Sequence, residues 1–187
     1  MIRAIRSQKG FTLMEAVLAV GLLALVSVVS LSIVVNVLRS ATKSQAATDV
    51  EQAASFVLSN LEDDVKKSTS AFMHDNDLNL TGPSFAAIYN LGVCDCNLNC
   101  VKVSRDGGAS WIKLTDDKGY GLPCKPAQTS VTLELGGTSY FTVISSAGTP
   151  LAVNVKIKFL KPNPTGPGMF RAETTLDTTI ELGGASR

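Results

Sequence analysis

Few side chains in this sequence stand at spacings that carry chemistry, and the four cysteines are the clearest. Cys94, Cys96 and Cys100 fall within seven residues and Cys124 lies beyond them. In an oxidising compartment they make two disulfides. A Cys94 to Cys96 link is locally awkward, which leaves Cys94 to Cys100 with Cys96 to Cys124, or Cys94 to Cys124 with Cys96 to Cys100. A four-thiolate zinc or iron–sulfur site is the alternative use. The Cys-x-Cys-x3-Cys spacing departs from the paired Cys-x2-Cys knuckle, however, and export favours oxidation over metallation. No Cys-x-x-Cys pair is present for dithiol exchange.

His74 is the only histidine, and no arrangement pairs it with a nucleophile, so enzymatic chemistry, a bound metal and a cofactor are not expected. Asp75-Asn76-Asp77-Leu78-Asn79 begins like a calcium loop. The pattern then fails, with Leu80 at the sharp-turn glycine and Ala86 at the bidentate glutamate, and a solvated loop is the better reading.

The remaining chemically pointed residue is Glu15, a carboxylate at the head of an apolar run. Ala16 to Leu38 are 23 residues without a formal charge. As a helix they reach about 34 Å, enough to span a bilayer with some tilt. The serines at 27, 30 and 32 do not prevent this, because their hydroxyls can bond back to the helix. The run is too long for a secretory signal and lacks a small-residue cleavage site. A plain anchor accounts for its length but not for Glu15, since a carboxylate facing hydrocarbon costs about 2.5 to 3.5 kcal/mol at the bilayer centre, less near its surface, and such residues usually have a partner. Cleavage between Gly10 and Phe11 would supply one. The new α-amine of Phe11 stands four residues before Glu15 and also reaches the carboxylate of a neighbouring helix.

Lys9-Gly10-Phe11-Thr12-Leu13-Met14-Glu15 resembles the processing motif of type IV prepilins and pseudopilins. In that family a membrane peptidase cuts after the glycine, here Gly10, and the new terminal residue, here Phe11, is N-methylated. The glutamate essential for assembly falls on Glu15. The basic leader is present as Arg3, Arg6 and Lys9; one departure is the absence of a proline before Pro83, with Ser30-Leu31-Ser32-Ile33 where major pilins often carry one.

The resemblance implies an α+β, type IV pilin-like fold, a long N-terminal helix packed against a C-terminal antiparallel β-sheet domain. It divides the chain into a leader (1–10), a transmembrane and filament-core half-helix (11–38), an amphipathic half-helix (39–67) and an exported globular domain (68–187). It further implies storage in a bacterial inner membrane with a cytoplasmic N-terminus, then a place in a pilus or periplasmic pseudopilus. The partners are a prepilin peptidase/N-methyltransferase, other pilins or pseudopilins, and an inner-membrane assembly platform with its ATPase. The expected function is a minor or specialised structural subunit; a type II secretion pseudopilin, or a filament-borne module binding a surface, DNA or a secreted substrate, is the alternative.

Other segments read from pattern alone. Val50, Ala54, Val57, Leu61 and Val65 recur at helical spacing, which predicts an amphipathic continuation to about Lys67. Residues 68–92 read as a connecting region with a turn at Gly82-Pro83 and mixed short elements. Strands are predicted at Val131–Leu135, Tyr140–Ser145, Val153–Leu160 and a broken or bent Phe170–Leu182, with Gly136-Gly137 as a tight hairpin. Ser104-Arg105-Asp106-Gly107-Gly108-Ala109-Ser110-Trp111 resembles an Asp-box hairpin. Asp106 would accept turn amides, Gly107 or Gly108 would allow the turn, and Trp111 would close an apolar cover, with Asp106, Gly108 and Trp111 as a possible binding turn. Losing residues 1–10 would remove three of the 17 basic residues and leave 14 against 16 acidic, so bulk charge gives no case for nucleic-acid binding.

Overall fold

In the computed structural model the described residues are 12–94, 98–115, 131–161 and 172–184. The chain forms two compact units, Met1–Thr42 and Lys43–Arg187. One helix, α1 (Leu13–Lys67), contributes to both and is followed only by antiparallel strands, an α+β layout.

The first unit carries the apolar part of α1, an 18-residue window of mean hydropathy 2.8 with none of it buried by protein. By length and composition it is able to cross a membrane. Its serines are satisfied locally. Ser27 Oγ donates to Leu23 O, Ser30 Oγ to Val26 O and Ser32 Oγ to Val28 O, at 2.8 to 3.0 Å.

In the second unit, α1 presents Val50, Ala54, Val57, Leu61 and Val65 to a single core. The predicted stripe is the buried one, and α1 ends at Lys67. Ser68 closes the end, its Oγ donating to Val65 O at 2.7 Å. Two sheets complete the unit. The first is a five-stranded meander in sequence order, β1 (Ser70–His74), β2 (Asp77–Thr81), β3 (Ala86–Val93), β4 (Asn99–Ser104) and β5 (Ile112–Lys113). The second is centred on β8 (Thr149–Lys161). β6 (Thr132–Leu133) and β7 (Tyr140–Ser146) follow one another along one edge, and β9 (Ala172–Glu181) lines the other.

Three expectations are corrected. Most of residues 68–92 is three paired strands, β1 to β3, rather than a connecting region, because Leu78, Leu80, Ala87, Tyr89 and Leu91 alternate into the core. The chain does turn at Gly82-Pro83, where the Gly82 amide donates to Phe85 O at 2.9 Å. The calcium-like stretch is not a solvated loop but a two-residue turn at Asp75-Asn76, where Asp75 takes φ 54°, followed by the start of β2 at Asp77–Asn79. Gly136-Gly137 does not form a hairpin, since β6 and β7 both pair with β8 rather than with each other. The glycines, at φ 99° and 89°, let the chain loop out between two pairings with one strand. Glu134 O collects that excursion by accepting Thr138 Oγ1 and Ser139 Oγ, while Ser139 Oγ accepts the Lys158 amide at 2.9 Å. The tight hairpin falls instead at Ala147-Gly148, with φ 50° and 81°, between β7 and β8.

Val153, Val155, Ile157 and Phe159 of β8 are fully buried, as their alternation predicts. β9 is continuous over Ala172–Glu181, not broken there; residues 170 and 171 lie outside the described residues. The end of β9 closes on α1, and a Cβ on Gly183 would stand 1.8 Å from Lys66 O, so only glycine fits without a shift.

The two faces of α1 give an internal comparison. Leu61 is fully buried and Phe56 is 53% exposed. Leu61→Ala is expected to cost about 2 to 5 kcal/mol, and Phe56→Ala about 0.5 kcal/mol or less. Denaturation of the detergent-solubilised protein measures both, and equal losses would contradict this placement of the core.

Candidate functional site

Three of the expected sites have described residues. At the start of α1, Thr12 stands as the N-cap. Its carbonyl accepts the Glu15 and Ala16 amides at 3.0 and 3.2 Å, and its Oγ1 accepts the Glu15 amide at 3.3 Å. Thr12-x-x-Glu15 is therefore a capping-box sequence, with Glu15 at the position where a carboxylate also favours the positive end of the helix dipole. This role was legible as Thr three residues before Glu and was not read from the sequence. Gly10 and Phe11 lie outside the described residues.

The second site is sulfur. Cys94, one residue past the last β3–β4 pair Val93–Asn99, forms a disulfide with Cys100, which itself pairs with Gly92 inside the ladder, and the Cys94 amide donates to Leu98 O at 2.8 Å. This is the first of the two expected connectivities as far as the described residues reach. Cys96 and Cys124 lie outside them.

The third is the Ser104–Trp111 turn between β4 and β5. Asp106 Oδ1 accepts the Ser110 amide at 2.9 Å and Ser104 Oγ at 2.7 Å, and Oδ2 accepts Ser110 Oγ. Ser104 Oγ in turn accepts the Gly108 amide at 2.8 Å. Gly107 and Gly108 both take positive φ, 74° and 96°, which a side chain would strain. The hydroxyl and amide of Ser110 and the hydroxyl of Ser104 hold the Asp106 carboxyl at about 2, below the ordinary 3.8. A carboxylate so engaged by its own loop is a fastener, and little of it is left to hold a ligand. Trp111 does not close an apolar cover. It is 38% exposed, with Lys102 Nζ 4.9 Å from the ring centroid, because β5 is a two-residue edge strand and no further layer among the described residues buries the indole.

The neighbouring Arg105 reaches back to α1, where its guanidinium donates to Asp64 Oδ2 at 3.0 Å and Tyr89 OH donates to the same oxygen at 2.6 Å. Asp64 is 5% exposed. Burial, then the Asp64 carboxylate, push the Tyr89 hydroxyl far above its usual value. This trio was missed in the sequence. Its signal was a charge on the apolar stripe, three residues after Leu61.

No catalytic arrangement accompanies these features among the described residues. His74 is exposed, its nearest carboxylate Asp75 at 3.9 Å. No three metal-binding side chains converge there. An open depression of about 770 Å³ includes Glu62, Lys66, Leu151 and Glu181 in its walls, and its lysine is already paired to Glu62 at 3.0 Å. No protein family, curated protein or solved structure matches the chain.

The turn has a built-in reporter, since Trp111 is the only tryptophan. The depressed folded value of Asp106 means that its stabilisation is complete above about pH 4 and is lost as pH falls through about 2. Trp111 emission should change across that window in the native protein and stay flat in Asp106→Asn. An identical titration in both would refute the fastening role.

Proposed function

We propose that this chain is a minor or specialised structural subunit of a type IV pilus or a related filament such as a type II secretion pseudopilus, assembled through its N-terminal helix. The observation that carries the reading is the motif Lys9-Gly10-Phe11-Thr12-Leu13-Met14-Glu15 placed at the start of a 55-residue helix whose apolar window no protein surface covers. Such a window needs either lipid or the apolar helices of other subunits. A filament subunit uses both in turn, stored in the membrane and then bundled.

In this reading a prepilin peptidase hydrolyses the Gly10–Phe11 bond and the new amine of Phe11 is methylated. The amine keeps its positive charge, and Glu15 of a neighbouring subunit pairs with it to fix axial register. Work for extraction comes from a partner ATPase, as this chain has no Gly-x4-Gly-Lys phosphate loop. The Cys94–Cys100 disulfide supports an oxidising compartment for the domain that follows α1.

Intact-mass and terminal-peptide analysis of the membrane-extracted protein should find methylated Phe11 at the terminus. Mature protein that retains residues 1–10 would overturn the processing assignment.

Glu15 now has two candidate roles, cap and register, and glutamine separates them. A capping box accepts glutamine at this position, but glutamine cannot pair with an amine as a charge. Glu15→Gln should therefore reach the membrane at the native level and be recovered poorly in sheared filaments, as quantitative immunoblotting of the two fractions would show. Native recovery in filaments would reduce Glu15 to a helix cap.

A further inference from the structure

Two Asn-x-Ser/Thr triplets occur in the sequence, and Asn163-Pro164-Thr165 is disqualified as a glycan acceptor by its central proline. The other, Asn79-Leu80-Thr81, satisfies the acceptor rule, and Asp77 places an acidic residue two positions before the asparagine. It occupies β2, where Leu78 and Leu80 are 0% and 1% exposed in the core. Strand alternation therefore puts Asn79 on the opposite, solvent-facing side of the first sheet. There it pairs across the strands with Phe72 of β1 and Ile88 of β3. Phe72 is 50% exposed, a large aromatic surface with no protein over half of it, directly opposite the acceptor. Facing residues of an antiparallel pair have Cβ atoms roughly 4.5 to 5.5 Å apart, within reach of a ring attached to either side chain.

We propose that Asn79 is an N-glycosylation site whose first sugar lies against the ring of Phe72. This rests on the proposed export of the domain beyond α1. The amide nitrogen has two hydrogens, and only one is needed for its 3.3 Å bond to Asp77 O. The other is the one replaced. The donor is a lipid-linked oligosaccharide pyrophosphate: Nδ2 bonds to the anomeric carbon, the carbon–oxygen bond to the pyrophosphate breaks, the lipid pyrophosphate leaves with the bonding electrons, and the amide loses one proton. β2 is paired on both edges in the folded sheet, so transfer takes place on the extended segment before β1 and β3 close on it. The completed sheet then holds the sugar on its outer face. The apolar side of the sugar ring covers Phe72, and its hydroxyls meet water.

The test is peptide mapping of the full-length protein from its own cells, with fragmentation that localises the modification. The peptide containing Asn79 should carry a glycan-sized mass on that residue. Asn79→Gln and Thr81→Ala should abolish it while Thr81→Ser retains it, a pattern that a purely structural role of these residues would not produce. The same map reports whether Cys94 and Cys100 are oxidised. An unmodified Asn79 peptide from protein with this disulfide formed would overturn the site and leave the export reading intact. An unmodified peptide with free thiols would overturn both, and a glycan mass persisting in Asn79→Gln would assign it elsewhere and overturn the site.

Discussion

The second unit depends on one apolar stripe. Val50, Ala54, Val57, Leu61 and Val65 belong to the same buried cluster as Leu78, Tyr89, Val101 and Val103 of the first sheet and Val153 to Phe159 of the second. Neither sheet has another apolar surface of that size to bury its inner face against among the described residues, so both are organised by the helix. Polar contacts set how the stripe is turned. Asp49 pairs with Lys161 of β8, and Asp64 takes hydrogen bonds from Tyr89 of β3 and from Arg105 in the turn between β4 and β5. Burial raises the Asp49 carboxyl, but the Lys161 and Gln45 hydrogen bonds and the Lys161 charge outweigh it and hold it below its ordinary value. Buried charges of this kind are costly unless fully partnered, and their best use is to exclude other registers of packing. One pair to each sheet leaves α1 a single rotation that satisfies both.

The same helix meets a different requirement in the first unit. There it has no charge from Ala16 to Leu38, and its serines return their hydroxyls to their own backbone. A polar side chain satisfied in this way adds little penalty in lipid and leaves the helix surface able to exchange lipid for other helices. The proposed function draws on this combination of an apolar surface with no cover of its own, a charge at its head, and a continuous backbone joining it to a disulfide-stapled domain.

Short-range features were legible in the sequence. The stripe, the end of α1 at Lys67, the alternation of β8 and the glycines of the Asp106 turn all follow from local pattern, because each is fixed by residues a few positions apart. Pairing partners were not legible. Gly136-Gly137 supplies positive φ equally to a hairpin and to a loop between two pairings with β8, and the choice depends on a strand some twenty residues later. Within residues 68–92 the turn at Gly82-Pro83 was legible, but the strands were read only as mixed short elements because they are short and their polar residues prominent. Leu78, Leu80, Ala87, Tyr89 and Leu91 become a core face only once paired in register. Glu15 was noticed for its charge while Thr12, whose carbonyl and Oγ1 accept the Glu15 amide, was not read as the helix cap, and Asp64 went unread although it interrupts an apolar stripe. In both cases the polar residue had a local partner, or one brought by the fold, that apolar pattern alone does not reveal.

The central claim is the proposal that α1 places this chain in a filament, and the most direct measurement is electron cryomicroscopy of filaments from native cells with the subunit labelled on the domain that follows α1. The account predicts label on filaments, along the shaft or at the tip, at a position where Glu15 of one subunit faces the terminal amine of a neighbour. Filaments that form normally and never carry the label, with the whole population of the protein remaining as a solitary membrane species, would contradict it.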